Sequence, residues 1–282
     1  MPSAQHSHNA SIFALELDGR FCGIPHHVQG VTLKAKLGTS HPATNVMVNQ
    51  HIASLNGGDV HLVCGRGMSQ PFYDWIRAYA GKSQRGRGVS ILALDYSYKE
   101  LQRVDYRNSL ISGIVFPDCD ASSKDPAYIT LSFRPGATHN SDGQNSSLPR
   151  ISTRQHWQKC DFRLDITGLT CTGVTNIEAV QVSSLAGRGP TLTVTVAESK
   201  AQSFYDWANS DLAGGSSSVT KTGTLTYLTP TIQTILSLGF RGLRLSKLTA
   251  VNSGAHGSAL AKVKVEMQSD GAGVTCANTA WA

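Results

Sequence analysis

The chain has 282 residues, 40% of them hydrophobic and 16% charged, with 27 glycines. This composition excludes a disordered chain, which would carry fewer apolar and more charged residues. The length is enough for one large domain or two ordinary ones, each with its own core.

The net charge of +6 does not by itself indicate a nucleic-acid partner. The cations are scattered, apart from Lys82, Arg85 and Arg87 in a glycine-rich turn. Such a cluster is more typical of a solvated loop than of a phosphate site. No stretch approaches the roughly 18 consecutive apolar residues of a membrane helix, and the N-terminus does not read as a secretory signal. The sequence therefore predicts a protein made in the cytoplasm, with no membrane partner.

The first elements in chain order are short strands, followed by one helix. In the segments 13–19 and 60–64, apolar residues recur at the spacing that is typical of strands. Ser69 can cap a helix that Gly81 ends. Its apolar face holds Phe72, Trp75, Ile76 and Tyr79, at spacings i, i+3, i+4 and i+7. Such a short aromatic helix must lie on a sheet to be stable, so these aromatics are interpreted as core anchors and not as base-stacking residues.

Three further strands are predicted at 89–98, 110–116 and 128–133, and a polar linker follows. The helix motif then recurs 132 residues later, Phe72-Tyr73-Asp74-Trp75 returning as Phe204-Tyr205-Asp206-Trp207. In this second copy Ser203 or an earlier residue caps the helix, Phe204 and Trp207 anchor it, and Gly214 and Gly215 end it.

Other features repeat beside the motif. At the same spacing Phe116 falls on Leu248, and Leu131 falls on Val263. Segment 13–19 parallels 162–168, and Cys22 parallels Cys171, but 149 residues apart. The first copy therefore holds about 17 extra residues near 37–56. The predicted organisation is a domain at 1–137, a linker at 138–158 and a second domain at 159–282.

No motif of enzyme chemistry occurs in the sequence, which contains no HExxH, GxSxG, P-loop or GxGxxG pattern. His26, His27 and His61 lack carboxylates or cysteines at ligand spacing, and none of the six cysteines forms a CxxC pair. We therefore predict no enzyme, no metal and no cofactor. Cross-links through the equivalent Cys22 and Cys171 remain a minor hypothesis.

The order of these features resembles the tail tube protein family of contractile-tailed phages and related injection systems. The resemblance covers most of residues 11–137 and 159–268 and rests on the two Phe-Tyr-Asp-Trp helices and the strands around them. It implies an α+β, mainly β fold: two tandem tail-tube-like, antiparallel β-sandwich or half-barrel domains, each with one short helix. The duplication departs from the family, whose members typically have a single such domain.

The resemblance also implies a function, namely a structural subunit of a tail tube in the virion tail, assembled in the host cytoplasm. Six domains would join their sheet edges around a channel for DNA or an effector, so three two-domain chains would make a pseudo-sixfold ring, with a hexamer also open. The family's inter-ring loop corresponds to the long hairpin of the first copy, which is shortened in the second; its candidate residues are Leu37, Thr39, His41, Asn45, Val48, His51 and Asn56.

Other partners and two other functions stay open at the level of sequence. The implied partners are stacked copies of the ring, other tail or baseplate proteins, a sheath, and DNA passing through the lumen. Because lysine and arginine would grip phosphate, we predict that the excess positive charge faces outward or between rings. The alternatives are a baseplate hub or tube-initiator ring that adapts a threefold spike to a sixfold tube, and a tandem β-sandwich binding module.

Overall fold

A computed structural model describes residues 12–30, 33–40, 49–142, 147–148, 157–183, 189–213, 219–251 and 261–276. It is mainly β, with antiparallel sheets and two α-helices, which confirms the predicted fold class. Among the described residues, no helix combines the length and apolar character needed to span a membrane.

The first half of the chain, residues 12–142, contains eleven strands and one helix in the parts described. They are β1 (Ile12–Leu17), β2 (Arg20–Gly23), β3 (His27–Gln29), β4 (Leu33–Ser40), β5 (Asn49–Gly57), β6 (Val60–Cys64), α1 (Gln70–Ala80), β7 (Arg87–Leu94), β8 (Glu100–Phe116), β9 (Cys119–Asp120), β10 (Ile129–Arg134) and β11 (Ala137–Asp142).

The second half, residues 157–276, repeats this order in shorter form. Its elements are β12 (Phe162–Ile166), β13 (Val174–Ile177), β14 (Val180–Ser183), β15 (Thr191–Ala197), a 3-10 turn (Glu198–Lys200), α2 (Gln202–Ala213), β16 (Lys221–Leu228), β17 (Thr234–Val251), β18 (Lys262–Gln268) and β19 (Gly271–Cys276).

Each half builds one large sheet. The first sheet runs β2-β1-β7-β8-β10-β6-β3, with β11 and β14 added on β8. The second runs β12-β16-β17-β18-β15-β13-β9, with β19 added on β17. The hairpin β4–β5 is a separate two-stranded sheet. Two strands therefore lie in the sheet of the other half, because β14 joins the first sheet and β9 joins the second.

The two helices bury the aromatic faces that the sequence predicts. Phe72, Trp75 and Ile76 in α1 are at most 1% exposed, and Phe204 and Trp207 in α2 are at most 3% exposed. Ser69 and Gly81 lie at the two ends of α1, as predicted. The Ser69 hydroxyl donates to the Phe21 carbonyl at 3.4 Å instead of capping the helix, so it ties the helix start to β2. Ser203 lies inside α2, and Gly214 and Gly215 lie outside the described residues.

Strand β8 extends well beyond the predicted segment 110–116, and its counterpart β17 is as long, because each strand bends and pairs with two sets of neighbours. A register shift falls at Asn108 in β8 and near Gly242 in β17, where φ is +51° and +61°. Glycine and asparagine are the residues that adopt this left-handed conformation most easily. Before the bend each strand pairs with β7 or β16, and after it with β10 or β18.

Residues 137–142 form the edge strand β11 on β8, where the sequence analysis places the start of a linker. The segment Ala-Thr-His-Asn-Ser-Asp has almost no apolar side chains. Main-chain hydrogen bonds define an edge strand without an apolar pattern, which is why the hydrophobic periodicity gives no signal here.

Candidate subunit interface

Strand pairing defines which residues of the two halves are equivalent. Leu131 of β10 pairs with both Ile114 and Leu62, and Val265 of β18 pairs with both Leu248 and Val194. Leu131 thus corresponds to Val265, and Ile114 to Leu248. The sequence-based matches of Leu131 with Val263 and of Phe116 with Leu248 are therefore wrong by two residues. A shift of two keeps each side chain on the same face of its strand, so alternation alone cannot detect it.

The first contact between the halves is a strand exchange along β8. After its bend, β8 pairs on one side with β10 and on the other with β14, in the register Phe116–Val180, Ile114–Val182 and Gly113–Ser183. β9 returns the exchange by pairing Cys119 with Ile177 of β13. Main-chain hydrogen bonds thus cross between the halves at both strand pairs, and the Ala127 N–H adds another by donating to the Trp157 carbonyl at 2.8 Å. Ile114 and Phe116 are fully buried.

The second contact is apolar. At Tyr227, the second core is in contact with Trp157 and with the turn after β8. The Trp157 and Tyr227 rings meet edge to face with their centroids 5.1 Å apart, and the Tyr227 hydroxyl donates to the Pro117 carbonyl at 2.9 Å. Burial raises the pKa of Tyr227 well above its usual value, so the phenol stays a hydrogen-bond donor.

The third contact involves the end of α1. The Tyr79 hydroxyl lies 3.1 Å from the Ser112 carbonyl of β8 and 3.4 Å from the Val182 carbonyl of β14. Beside it lies a cavity of about 960 Å³ that is lined by residues of the helix end, β14, β15 and β19. Lys82 lies on its wall, which is where the structure places the first residue of the basic cluster.

A charged anchor holds β8 in position for this exchange. Asp59, just before β6, accepts a hydrogen bond from the Ser112 hydroxyl at 2.6 Å and another from Arg134 Nε at 2.9 Å. The Ser112 bond first, and the Arg134 charge next, hold the pKa of Asp59 below its usual value. In the second half the equivalent pair is uncharged, with the Thr191 hydroxyl 3.1 Å from Gln268 Oε1.

The joint is heterologous, because the two halves use different surfaces. The first half contributes the end of β8, β9 and the end of α1, whereas the second contributes β13, β14 and the end of β16. A heterologous joint leaves one copy of each surface unused, at opposite ends of the chain. The counterparts of β9 and of the start of β14, residues 253–254 and 31–32, lie outside the described residues, and the other parts of both copies are described.

The unused copy of the β8 surface is the last part of β17. No described strand pairs with the edge of Lys247–Ala250 that corresponds to the β14-paired edge of β8. Thr249, Ala250 and Val251 are exposed, whereas the equivalent Phe116 and Pro117 are buried.

The unused copy of the β13 surface is β3, which pairs only with β6 among the described strands. Beside it, the core end equivalent to Phe162 and Tyr227 is formed by Phe13 and Ala93, and Phe13 is 37% exposed.

The other predicted site residues are distributed as follows. Leu37, Thr39, His51 and Asn56 lie in the β4–β5 hairpin, and His41, Asn45 and Val48 lie outside the described residues. Cys22 is buried and Cys171 half-buried, and both are free thiols. Burial raises the pKa of each, so a cross-link through Cys22 requires the core to open.

Two of the three histidines that were considered as metal ligands have other contacts. His26 stacks on Tyr128 with the ring centroids 4.6 Å apart, and His61 Nδ1 lies 2.7 Å from the Ser132 hydroxyl. In the portion of the chain that is described, no group of three or more His, Cys, Asp or Glu side chains is arranged to hold a metal ion.

The sequence analysis missed the interface residues around Val182 and Tyr227. A signal for the first existed, since Val180-Gln181-Val182-Ser183 alternates like Val31-Thr32-Leu33-Lys34. Those two segments are separated by the same 149 residues as Cys22 and Cys171.

Comparison with known proteins gives structural matches only. No family model matches the chain, and no curated protein matches it. A chain of the anti-feeding prophage baseplate is 15% identical, with a TM-score of 0.37, over 47% of this chain and 93% of its own.

Two other solved structures match over a similar share of the chain. The sheath/tube terminator of an extracellular contractile injection system matches at 13% identity and a TM-score of 0.39, over 49% of this chain and 99% of its own. The tube-terminating cap of the anti-feeding prophage matches at 13% identity and a TM-score of 0.34, over 46% and 97%.

Proposed function

We propose that the chain is a structural subunit of a phage-type tail tube, and that three chains close head to tail into a pseudo-sixfold ring around a channel. The observation that carries the proposal is the heterologous joint between the halves. Each chain leaves a second copy of both surfaces unused among the described strands: an acceptor surface at the end of β17 and a donor surface at β3. A heterologous contact that repeats either closes by rotation or grows without limit.

Two physical arguments favour closure between chains over a monomer. An open strand edge beside apolar side chains is a ready site for another strand, and a charge on the edge weakens the pairing. Lys247 is the one charge in Lys247–Ala250, and Val251 adds an exposed apolar side chain at 37%. A ring of six such units has no free edges left at these positions.

The role of the ring in a tail comes from the sequence resemblance. On that basis the ring stacks on further copies, contacts other tail or baseplate proteins or a sheath, and carries DNA or an effector through its lumen. In this proposal the β4–β5 hairpin, which occurs in the first half, alternates around the ring with the short β14 segment of the second half. This alternation suits both a tube ring and a hub, which differ in copy number within the particle.

The proposal is tested by measuring the mass and shape of the purified protein. Native mass spectrometry should give a species of three times the 30.1 kDa chain, and negative-stain images should contain rings with a central hole. A monomer that persists at high concentration would contradict the ring and favour a tandem binding module. If rings form, counting copies per particle separates a tube subunit from a hub.

A further inference from the structure

The acceptor edge of the proposed ring can be assigned residue by residue. In the first half, β8 is sandwiched after its bend between β10 and β14. In the second half, β17 pairs with β18 in the equivalent register, and no described strand occupies its other side. The free edge therefore has the length and direction of the edge that β14 fills, at Lys247, Leu248, Thr249 and Ala250.

The donor follows from the second half in the same way. β13 and β14 are consecutive strands that contact β9 and β8 of the first half. Their equivalents are β3 and the start of β4, because His27 and Val28 pair with β6 as Asn176 and Ile177 pair with β15. In this correspondence Leu33 takes the place of Val182, and Lys34 takes the place of Ser183.

The register between chains is then fixed. Val182 lies opposite Ile114 inside the chain, so Leu33 of one chain falls opposite Leu248 of the next. Leucine–leucine pairing conserves the apolar character of the internal pair. Lys34 falls opposite Lys247, where the internal joint has Ser183 opposite Gly113. Like charges directly opposite each other across two strands weaken pairing, so the joint between chains should be weaker than the internal one.

The apolar contact between the two halves also has a counterpart on the unused surfaces. Phe13 and Val251 are two of the large hydrophobic side chains that are more than a third exposed. Their equivalents, Phe162 and Pro117, lie on the two sides of the internal joint, where Phe162 is half-buried and Pro117 buried. Phe13 and Val251 therefore lie on the two unused surfaces, which would meet when two chains join.

We infer that the start of β4 of one chain adds as a strand to the edge Lys247–Ala250 of β17 in the next chain, with Leu33 opposite Leu248. Phe13 of the first chain then packs near Val251 of the second. The inference rests on the proposed ring, and it names the second copy of this chain as the occupant of the edge.

Disulfide trapping tests the register directly. The double variant Leu33→Cys/Leu248→Cys, oxidised at concentrations where the protein assembles, should run as covalent dimers and closed trimers on a non-reducing gel. The single variants Leu33→Cys and Leu248→Cys carry the same native thiols and should stay monomeric on the gel. The pair Leu33→Cys/Val251→Cys is the register control, since three strand residues place its thiols roughly 10 Å apart, and it should cross-link at least tenfold less.

The outcomes separate the two proposals. Rings in micrographs without the Leu33–Leu248 cross-link, or with equal cross-linking of the control pair, would overturn the assigned register and leave the ring intact. Absence of any assembly in the unmodified protein would instead overturn the proposed function.

A second variant avoids any change in the apolar contacts. Lys247 is exposed and pairs with Glu266 of β18. Lys247→Gln removes the like charge that faces Lys34 without setting two carboxylates opposite each other. We expect it to lower the concentration for half-assembly by roughly two- to fivefold, the range of a charged cross-strand pair. Lys200→Gln makes the same change of net charge at an exposed site after β15, which β18 separates from β17, and should have no such effect. Equal effects of the two variants would contradict the inference.

Discussion

The bent strands β8 and β17 are the same element in two settings. Both bend at a residue with positive φ and both pair with a following strand. Ile114 in β8 is fully buried because β14 covers its other edge, whereas the equivalent Leu248 is only half-buried. Among the described strands, the edge of β8 is closed only by β14 of the other half, and the equivalent edge of β17 has no such partner.

Truncating the two equivalent residues gives the largest expected difference. Ile114→Ala should lower the free energy of unfolding by about 2–5 kcal/mol, the cost of a cavity in a closed core. Leu248→Ala should cost about 1 kcal/mol in the dilute monomer, because little buried area is lost. Urea denaturation of both variants measures the difference. Equal losses in the monomer would mean that the β17 edge is already covered within one chain.

Removing one hydroxyl at the internal joint should have a smaller effect. Tyr227→Phe deletes the bond to the Pro117 carbonyl and leaves that carbonyl unpaired in a buried place. The expected loss is about 1–3 kcal/mol, the range for an unsatisfied buried group. Tyr96→Phe, at a side chain that is 76% exposed, is the matched control and should leave the midpoint of thermal unfolding unchanged. If both variants melt at the same temperature, the Tyr227–Pro117 hydrogen bond does not contribute to stability.

Removing the charge of Asp59 should have the smallest effect on the free energy of unfolding, and it should have this effect only above acid pH. The folded-state pKa of Asp59 is lowered, so its stabilisation is full above the unfolded pKa of about 3.9 and is lost as the pH falls through the lower folded value. Asp59→Asn should therefore cost up to about 1 kcal/mol at pH 6, and the difference from the unmodified protein should shrink below pH 4.

The second half supplies the control for this pH dependence. Thr191→Val removes the equivalent uncharged contact with Gln268, and its effect in thermal melts should be the same at pH 6 and pH 3. A constant Asp59→Asn difference across that range would contradict the role of the ionised carboxylate.

The elements that could be predicted from the sequence are those that depend on apolar periodicity. Phe72 and Trp75 are predicted to be buried because a short aromatic helix is unstable alone, and the repeat of their motif predicts two domains. Sequence reasoning could not find β11, whose polar residues make only edge hydrogen bonds, or the two-residue shift in equivalence, which preserves the face of every strand. The exchange of β9 and β14 depends on contacts between distant segments, and local patterns carry no information on them.

The exchange of strands within one chain also changes how a ring could be nucleated. A ring of six separate units would need five associations between molecules before it closes. In the proposed ring every second joint is intramolecular, so its partner is present at the high effective concentration of a linked segment. The equilibrium amount of closed ring would then depend on the third power of the chain concentration instead of the sixth power of the unit concentration, and rings should persist at dilutions at which unlinked units would fall apart.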